Sequence, residues 1–579
     1  MTGLVVLQAQ EGSRWLKFDD PIEIIETTDL GRVQDKIQEV ETRVKEEHLY
    51  AAGFVSYEAA PAFDAALVVN PPSDVPLLWF GLYERPREIS LTGTNSAYTL
   101  SDWRPSISES RHSRAVASIH NHIATGKTYQ VNFTFRQRAD FEGDPWKLFL
   151  DLNEAQRAAY GAYIDTGVYT ICSASPELFF SMNGPHLISR PMKGTVGRGV
   201  TQKEDLHQAE WLRNSAKNQA ENVMIVDMIR NDLGRISRVG SVQVSKLFEL
   251  ERYPTIWQMT STVESRSDAS FSAILSSLFP CGSITGAPKV STMNIIASLE
   301  DSPRGVYTGC IGYLTPDRQS QFNVAIRTVV IDKEMGTAEF GVGGGIVWDS
   351  TNTEEYSECL TKSLILSQRT PKFQLLETML WTPKAGYYLL EDHLNRLLDS
   401  ATYFGYPVSL LQIRRLLEIK ASKISVKPHK IRLLIDEMGN AKIETSVISE
   451  DKTVKPLIVG LAKNPIQSQD VFLYHKTTNR LAYEDAGSEN PDWDDVILWN
   501  ERGEITESTV SNVVVQFKDG MVTPPVESGL LGGTFRNHLL KNGEIEERII
   551  KIDDLQRRQA LFLINSVRQW QTAELASER

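Results

Sequence analysis

A polar stretch from Gln368 to Lys372 is the feature that most constrains the fold, because the hydrophobic pattern differs on its two sides. The stretch ends a helical pattern, and Pro371 cannot continue a helix. A chain of 579 residues is also too long to fold around one hydrophobic core. We therefore predict two domains, residues 1–367 and 372–579, with the boundary in this stretch.

Charge and cysteine usage narrow the class of protein. The formal net charge of −13 argues against nucleic acid as a general partner, because phosphate binding requires a basic face. No secretory signal and no apolar run of membrane-spanning length is present, so we expect no membrane association. Cys172, Cys281, Cys310 and Cys359 form no zinc or C-x-x-C spacing, which favours reduced thiols and a cytoplasmic location.

Hydrophobic periodicity predicts a mixed first domain. The first hundred residues alternate as short strands, and residues 108–125 have helical spacing. Residues 127–135 then alternate as a strand that places Gln130 and Asn132 on one face. The longest helical pattern runs over residues 202–229.

Lys193 lies in a short apolar and glycine-rich stretch, residues 187–199. Arg190 and Arg198 are close in sequence, and nearby cations make a second ammonium easier to deprotonate. Gly194 allows a substrate to approach the backbone. Lys193 is thus a candidate nucleophile toward an anionic substrate, and the alternative is a solvated basic turn.

Carboxylates on two separate helical patterns are candidate metal ligands. Glu221 lies on one helix, and Glu355 and Glu358 share a face of another because they are three residues apart. Carboxylates in ones and twos beside a substrate anion are typical of Mg²⁺ sites. The alternatives are a solvated pair of Glu221 with Lys217 and an exposed acidic helix start.

Residues 279–289 form a glycine-rich turn that opens a helix. The turn is not a nucleotide phosphate loop, because Pro288 stands where the glycine of that motif belongs. Its free backbone N–H groups suit a carboxylate, so an anion site and a plain helix cap both remain open.

The first domain resembles the chorismate-binding enzymes, which include anthranilate synthase, isochorismate synthase and aminodeoxychorismate synthase component I. The matching stretches are Tyr-Gln-Val-Asn at Tyr129, Ser-Pro-Glu at Ser175, Pro-Met-Lys-Gly-Thr at Pro191, Ala-Glu-Asn-Val-Met at Ala220, Arg-Asn-Asp-Leu-Gly at Arg230, Gly-Ser-Ile-Thr-Gly-Ala-Pro-Lys at Gly282, Ala-Ile-Arg-Thr at Ala325 and Glu-Tyr-Ser-Glu at Glu355. Lys193 resembles the aminodeoxychorismate synthases, where anthranilate and isochorismate synthases have alanine. Gln130 stands where enzymes that add water carry a lysine base.

The resemblance implies roles for individual residues. Lys193 is the nucleophile on the chorismate ring, Glu177 is a general acid, and Glu221 and Glu358, with Glu355 beside them, hold Mg²⁺. Gln258 stands where many relatives have histidine, so no acid or base role is predicted there. The implied substrate-binding residues are Gln130, Gly282, Ser283, Thr285, Gly286, Lys289, Tyr307 and Arg327.

The second domain resembles the class IV pyridoxal-phosphate enzymes, which include aminodeoxychorismate lyase, branched-chain aminotransferase and D-amino acid aminotransferase. The matching stretches are Leu-Leu-Glu-Thr-Met at Leu375, Asp-His-Leu-Asn-Arg-Leu at Asp392, His-Lys-Thr-Thr-Asn-Arg at His475, Ile-Thr-Glu-Ser-Thr-Val-Ser-Asn at Ile505 and Leu-Leu-Gly-Gly-Thr-Phe-Arg at Leu530. The usual leading strands are short or missing, so we expect the first domain or a second subunit to complete this edge.

Lys476 is the implied catalytic residue of the second domain and follows a predicted strand, residues 472–475. Glu507 suits the pyridine nitrogen of pyridoxal 5'-phosphate, which keeps the ring an electron sink. Arg396 and the turn at Gly533 and Thr534 suit its phosphate.

Together the resemblances imply an α+β fold class: a chorismate-binding two-sheet α/β sandwich followed by a class IV two-subdomain α/β fold. They imply amination of chorismate to 4-amino-4-deoxychorismate, then elimination of pyruvate to give 4-aminobenzoate, a folate precursor. No glutaminase triad is present, so ammonia would come from a separate glutamine amidotransferase subunit. A homodimer through the second domain is expected. The rival hypotheses are an anthranilate synthase fused to an amino acid aminotransferase, and a regulatory protein that binds without turnover.

Overall fold

The computed structural model describes residues 2–9, 14–366, 371–424, 427–448, 455–488 and 492–576. The chain divides into two compact units, one of Met1–Gly197 and Ala209–Thr370 and the other of Arg198–Gln208 and Pro371–Arg579. The predicted domain boundary falls mainly on residues outside the described ranges. Within those ranges, no helix combines the length and the apolar character that crossing a bilayer requires.

The first unit is built from antiparallel strands. In chain order they are β1 (Leu4–Ala9), β2 (Arg14–Phe18), β3 (Glu23–Thr27), β4 (Tyr50–Val55), β5 (Leu78–Tyr83), β6 (Arg87–Ile89), β7 (Tyr98–Leu100), β8 (Arg104–Pro105), β9 (Gln130–Gly143), β10 (Tyr160–Asp165), β11 (Tyr169–Ser175), β12 (Leu178–Asn183), β13 (His186–Arg190), β14 (Met192–Gly197), β15 (Gln243–Arg252), β16 (Ile256–Arg266), β17 (Gly286–Ala287), β18 (Cys310–Leu314), β19 (Gln319–Val324), β20 (Thr328–Asp332) and β21 (Thr337–Ile346).

Helices lie between these strands in sequence. They are α1 (Val33–Glu46), α2 (Ala60–Phe63), α3 (Glu109–Ala124), α4 (Pro145–Gln156), α5 (Gln202–Asn214), α6 (Ala216–Gly234), α7 (Phe271–Leu278), α8 (Lys289–Leu299) and α9 (Asn352–Ser363). The predicted helix over residues 108–125 is confirmed as α3, whose N-cap Ser108 accepts a hydrogen bond from Arg111 N.

Two large sheets organise the first unit. One has the order β17-β9-β21-β20-β11-β10-β1-β2-β6, with β7 and β8 paired to β9. The other has the order β14-β16-β13-β12-β19-β18-β4-β5-β3, with β15 paired to β16. Many neighbouring strands are far apart in sequence, so residues distant in the chain become neighbours at the strand ends.

In the described part of the first unit, three apolar cores lie between four layers. Side chains of both sheets, among them Val5, Phe54 and Trp79, fill the core between them. The outer face of the β9 sheet packs against α3, α4, α8 and α9. The outer face of the other sheet packs against α1, α6 and α7. This arrangement of helices, two sheets and helices confirms the predicted two-sheet sandwich.

The predicted single helix over residues 202–229 is wrong. The structure has two helices, α5 and α6, which meet at Ser215. Ser215 adopts an extended backbone and caps α6 by accepting from Asn218 N at 3.4 Å. Leu206 is 55% exposed and Val223 38% exposed, because the apolar positions belong to two helices rather than to one continuous stripe.

The second unit contains a smaller and a larger sheet. Its strands are β22 (Leu375–Thr382), β23 (Gly386–Tyr387), β24 (His429–Ile435), β25 (Ala441–Val447), β26 (Leu457–Leu461), β27 (Asp495–Trp499), β28 (Ile505–Ser508), β29 (Asn512–Phe517), β30 (Gly520–Thr523), β31 (Glu546–Glu547), β32 (Ala560–Asn565) and β33 (Gln569–Leu575). Its remaining helices are α10 (Leu390–Phe404), α11 (Leu410–Ala421), α12 (Leu481–Ser488) and α13 (Thr534–Lys541).

Each of these sheets has its own core. The four-stranded sheet, β23-β22-β24-β25, packs against α10 and α11. The eight-stranded sheet, β28-β27-β26-β33-β32-β29-β30-β31, packs against α12 and α13. The two subdomains confirm the predicted class IV type of architecture.

The segment before Lys476 differs from the prediction of a strand. Residues Val471–Leu473 form a 3-10 helix, which Asp470 caps by accepting from Phe472 N at 2.9 Å. This local side-chain hydrogen bond satisfies the backbone without a sheet partner. The chain becomes extended only after the lysine, where Thr477 bridges to Leu375 of β22.

Candidate active sites

Lys193 lies at a bulge in β14. Met192 pairs with Thr260 of β16, but the next pair joins Thr195 to Gln258, so the residues between them are out of register. Gly194 there has a φ of +97°, and a side-chain carbon would lie 3.1 Å from Asn218 Cβ. A bulge of this kind re-aims the neighbouring side chain, here Lys193.

Gln258 stabilises this bulge. Its amide Nε2 donates to the Gly194 carbonyl at 2.9 Å, and its Oε1 accepts from Thr195 Oγ1 at 2.9 Å. Asn222 of α6 donates to the Lys193 carbonyl at 3.3 Å. Gln258 thus holds the backbone around Lys193, a role that the sequence left unassigned.

Lys193 and Gln130 converge above Gly345 of β21. A side-chain carbon at Gly345 would lie 2.1 Å from Gln130 Nε2 and 3.0 Å from Lys193 Nζ. Gln130 is fully buried, and its amide has no hydrogen-bond partner for Nε2 or Oε1 among the described residues. An unsatisfied buried amide is costly unless a ligand completes it, so this position suits a substrate contact.

Burial lowers the pKa of the Lys193 ammonium, and the charge of Lys362 lowers it further. The charges of Glu221, Glu177 and Glu358 act in the opposite direction. The expected cause, two nearby arginines, is wrong. The Arg190 side chain pairs with Glu251, and Arg198 lies in the second unit.

Glu177 follows β11 and is buried beside Lys193. Burial raises the pKa of its carboxyl to about 7, although Ser283 and the Lys193 charge lower it. Among the described residues its Oε1 has no hydrogen-bond partner. The group is therefore poised to carry or release a proton near neutral pH.

The predicted metal ligands face one another from α6 and α9. Burial raises the pKa of Glu221 and of Glu355, and the Glu358 charge raises both further. Lys362 lowers the pKa of Glu358 and pairs with it at 2.6 Å. Within the described ranges, no group of three or more His, Cys, Asp or Glu side chains is close enough to hold a metal by itself. These carboxylates fit Mg²⁺ only where a substrate anion and water supply the remaining ligands.

The 282–289 turn contacts Glu177 through Ser283. Ser283 donates a hydrogen bond to the Glu177 carboxyl, which lowers the pKa of that group. Gly286 has a φ of +129° and pairs with β9, where a side-chain carbon would lie 2.1 Å from the Gln130 carbonyl. The turn thus supports Gln130 and Glu177 directly.

Two predicted members of the turn make internal contacts instead. Thr285 Oγ1 donates to the Cys281 carbonyl at 3.1 Å. Lys289 Nζ pairs with Asp232 at 3.1 Å and donates to the Leu278 carbonyl at 3.2 Å. Its ammonium therefore connects the start of α8 to α6 and to the end of α7.

Tyr307 contacts β21, and Arg327 directly precedes β20. The Tyr307 ring packs against Gly341, where a side-chain carbon would lie 2.2 Å from the ring. Arg327 has a φ of +53° and donates to the Lys362 carbonyl at 2.5 Å. Lys362, which connects Arg327 with Glu358, was not predicted as a site residue.

Lys476 is the centre of the second unit's site. Burial lowers the pKa of its ammonium to about 8, and Arg396 and Arg480 act in the same direction. The charges of Glu377 and Glu507 oppose this shift. Its carbonyl accepts from Leu376 N at 2.9 Å, which fixes the backbone against β22.

A buried cluster connects Arg396 to the turn before α13. Glu377 accepts from Arg396 at 2.9 and 2.8 Å and contacts His393 Nδ1 at 2.6 Å. His393 Nε2 in turn lies 3.3 Å from Thr534 Oγ1, and Arg396 donates to the Gly532 carbonyl at 3.3 Å. Burial alone would raise the pKa of Glu377, but Arg396 and His393 hold it at about 2.

Glu507 is held more firmly than Glu177. Its carboxyl accepts from Tyr483 at 2.8 Å, from Leu531 N at 3.0 Å and from Asn512 Nδ2 at 3.2 Å. Burial raises its pKa to about 7. A side-chain carbon at Gly533 would lie 1.9 Å from Asn512 Oδ1, so this close turn requires glycine.

These residues fit pyridoxal phosphate. The charges of Arg396 and Glu507 act on the Lys476 amine, and Gly533 and Thr534 lie at the start of α13, whose N-terminal N–H groups suit a phosphate. Of the residues that sequence reasoning missed, Glu377 and His393 lie within motifs that were recognised, Leu375–Met379 and 392–397. Tyr483 lies outside those motifs, and no sequence signal identified it.

The comparisons with known proteins match both parts of the chain. A family model described as chorismate binding enzyme matches residues 4–367, and one described as amino-transferase class IV matches residues 374–574. Aminodeoxychorismate synthase component 1 of Bacillus subtilis is 40% identical over 262 residues, which cover 45% of this chain and 55% of that protein. The Escherichia coli protein of the same name is 39% identical over 264 residues, which cover 45% and 58%.

A solved structure agrees with these matches. Anthranilate synthase component I from Streptococcus pneumoniae has a TM-score of 0.53 and 25% sequence identity, and the match covers 60% of this chain and 91% of that one. The chain spans little more than half the length of the two curated relatives that it matches.

Proposed function

The chain belongs to the chorismate-binding enzyme family, with a class IV aminotransferase domain after it, and from this premise we propose that it makes 4-aminobenzoate from chorismate. The first unit would aminate chorismate to 4-amino-4-deoxychorismate, and the second would eliminate pyruvate. The observation that carries the proposal is Lys193 itself, a desolvated amine beside Glu177 and Gln130.

Lys193 would act as a covalent nucleophile in the first reaction. Its neutral amine forms a bond to a ring carbon of chorismate, the ring hydroxyl leaves, and Glu177 gives that oxygen a proton. Ammonia then forms a bond to the ring, and Lys193 leaves with its own electron pair. Burial supports both roles, because it favours the neutral amine of Lys193 and the neutral acid of Glu177.

Glu221 and Glu358 would hold Mg²⁺, with Glu355 beside them. Carboxylates from two helices leave positions for substrate oxygens and water, which Mg²⁺ usually retains. The ion would balance the negative charge of the substrate carboxylate against these acidic residues. Lys362 pairs with Glu358 at 2.6 Å and so contributes a positive charge beside these carboxylates.

Lys476 would serve as the base of the second reaction. Pyridoxal phosphate, when bound, supplies an electron sink for the ring carbon that carries the amine. Lys476 Nζ would take the proton from that carbon, and the electron pair left behind would form a ring double bond as the C–O bond of the neighbouring carbon breaks. The enolpyruvyl group would leave and gain a proton to become pyruvate, and the ring would become aromatic. Glu507, fixed by Tyr483 and Asn512, would hold the cofactor ring, and Arg396 would hold its phosphate.

The first reaction consumes ammonia, and no glutaminase triad is present in the sequence. We therefore propose a separate glutamine amidotransferase subunit as the ammonia source. The four cysteines are buried free thiols, which suits a reducing compartment such as the cytoplasm.

Product analysis tests the proposal. Purified chain is supplied with chorismate, Mg²⁺ and ammonium, with and without pyridoxal phosphate. The products are separated and identified by mass spectrometry. We expect 4-aminobenzoate with the cofactor and accumulated 4-amino-4-deoxychorismate without it. Anthranilate as the product would contradict the first reaction, and aminated product that never loses pyruvate would contradict the second.

A further inference from the structure

The second unit includes a segment from far earlier in the chain. Residues Arg198–Gln208 group with Pro371–Arg579, although 198–208 lie within the match to the chorismate-binding family. The segment begins directly after Gly197, the last residue of the strand that carries Lys193. We call residues 198–208 the inserted segment.

The inserted segment is fixed by a buried ion pair. Arg198 Nε pairs with Asp205 Oδ1, and the side chains are 6% and 1% exposed. Gly199 N also donates to Asp205 at 3.2 Å, and Thr201 begins α5 by accepting from Glu204 N at 3.2 Å. The pair thus joins the two ends of residues 198–205.

Arg198 also holds Tyr403 at the end of α10. Its guanidinium lies 4.2 Å from the centre of the Tyr403 ring, and Nη2 donates to the Tyr403 carbonyl at 3.0 Å. A cation over an aromatic face is attracted to it, most strongly where water is excluded. The ring and the backbone of Tyr403 are therefore both fixed.

Tyr403 in turn packs against the neighbour of Lys476. The rings of Tyr403 and His475 are 4.5 Å apart, and Ser400 Oγ lies 2.9 Å from His475 Nδ1. His475 is buried and directly precedes Lys476 in the chain. Contacts thus run from Arg198 through Tyr403 and His475 to the backbone of Lys476.

We propose that Arg198 is a positioning residue for Lys476, and that the inserted segment completes the wall behind this lysine. The proposal rests on the proposed function in taking Lys476 as the base of the second reaction. Because a base must be held close to the proton that it removes, loosening His475 should slow this transfer while leaving substrate binding intact. The same α10 carries Arg396, so the phosphate contact and the lysine share one support.

The test uses the full-length, cofactor-loaded enzyme and paired variants. Arg198→Met removes the charge, and Tyr403→Leu removes the ring, whereas Tyr403→Phe retains the ring and the carbonyl. Arg238→Met, which breaks an exposed pair with Asp268, is the control. The measurements are kcat and KM with supplied 4-amino-4-deoxychorismate, the amination rate from chorismate, and the absorbance of the bound cofactor as a function of pH.

We expect Arg198→Met and Tyr403→Leu to lower kcat of the elimination about tenfold, with KM and the amination rate unchanged. The pH profile of the cofactor absorbance should shift in both, because the charges around Lys476, from Arg396, Arg480, Glu377 and Glu507, act over altered distances. Tyr403→Phe and Arg238→Met should match the parent enzyme.

An unchanged kcat and absorbance profile in both Arg198→Met and Tyr403→Leu would overturn the proposal, as would an equal loss of amination and elimination. The absorbance profile needs no substrate. A parent enzyme that releases no 4-aminobenzoate would thus refute the proposed function while the profile still decides the role of Arg198.

Discussion

Each unit places a buried lysine near a buried glutamate whose pKa is about 7, but the two glutamates are held differently. Glu507 accepts hydrogen bonds from Tyr483, Asn512 and the Leu531 backbone. Glu177 has one oxygen with no partner among the described residues. Burial raises the pKa of both carboxyls to about 7, so pKa alone does not separate their roles. The hydrogen bonds do, because a fully held carboxyl orients a ligand and a partly free one can pass on a proton.

The lysines differ in the charges that surround them. Carboxylates dominate around Lys193, with Lys362 as the opposing cation, whereas arginines and carboxylates balance around Lys476. The first pocket therefore suits a metal and an anionic ring, and the second suits a phosphate-bearing cofactor.

Substitution of Lys193 and of Lys476 tests the contrast between the two units most directly. Lys193→Ala should lower amination and Lys476→Ala should lower elimination, each by about 10³-fold or more, because each variant loses the group that forms or breaks a bond. Assays of each step on its own substrate measure this, and a mixture of the two variants should again release 4-aminobenzoate.

Lys246→Ala serves as the control for these two variants, since this lysine is exposed on β15. A Lys193→Ala enzyme that aminates at the parent rate would contradict the covalent route in the first unit.

Glu377→Gln tests whether cofactor binding in the second unit depends on the Glu377 carboxylate that holds Arg396. The carboxylate holds Arg396 and His393 in a buried cluster, and breaking such a pair costs about 3 kcal/mol or more. We expect the dissociation constant for pyridoxal phosphate to rise about 100-fold, measured by fluorescence titration. Glu391→Gln on the same α10, in an exposed pair with Arg414, should leave it unchanged. Equal affinities in the two variants would show that the cluster does not position Arg396.

Gly345→Ala tests whether the first pocket depends on the absence of a side chain. The new carbon would overlap Gln130 Nε2 and crowd Lys193 Nζ, so amination should fall about 100-fold because a small misplacement of a reacting group is costly. Elimination from supplied intermediate should be unchanged. Gly93→Ala, with no atom within 4 Å, is the control. If amination survives in Gly345→Ala, Lys193 and Gln130 do not act above this residue.

The pH dependence of amination sharpens the contrast between the glutamates. Glu177, with a pKa of about 7, is a protonated acid below that pH and loses its proton above it. The amination rate should therefore fall about tenfold per pH unit on the alkaline side. Stopped assays at constant free ammonia measure this limb. Glu177→Gln should abolish the limb and lower the plateau, and an unchanged profile in that variant would assign the limb to another group.

Periodicity and turn signals predicted individual helices and strands, whereas the resemblances implied the two architectures. The helical pattern over residues 108–125 matches α3 (Glu109–Ala124) with its two caps, and the predicted strand over 127–135 begins at Gln130 in β9. The errors have local causes. Ser215 interrupts a helical pattern by capping a second helix, and Asp470 caps a 3-10 turn where the pattern favoured a strand. A side chain that bonds to its own backbone competes with regular structure, and hydrophobic spacing does not detect it.

The sequence by itself determined the chemical groups: Lys193 between proline and glycine, carboxylates on two helices, and Lys476 among the class IV motifs. Only the tertiary structure decided what those groups contact. It showed that burial, not Arg190 or Arg198, lowers the pKa of Lys193, and that Arg198 packs on Tyr403, which contacts His475. The reason is physical, since desolvation and hydrogen bonding depend on residues that are distant in the chain and become neighbours only when the sheets form.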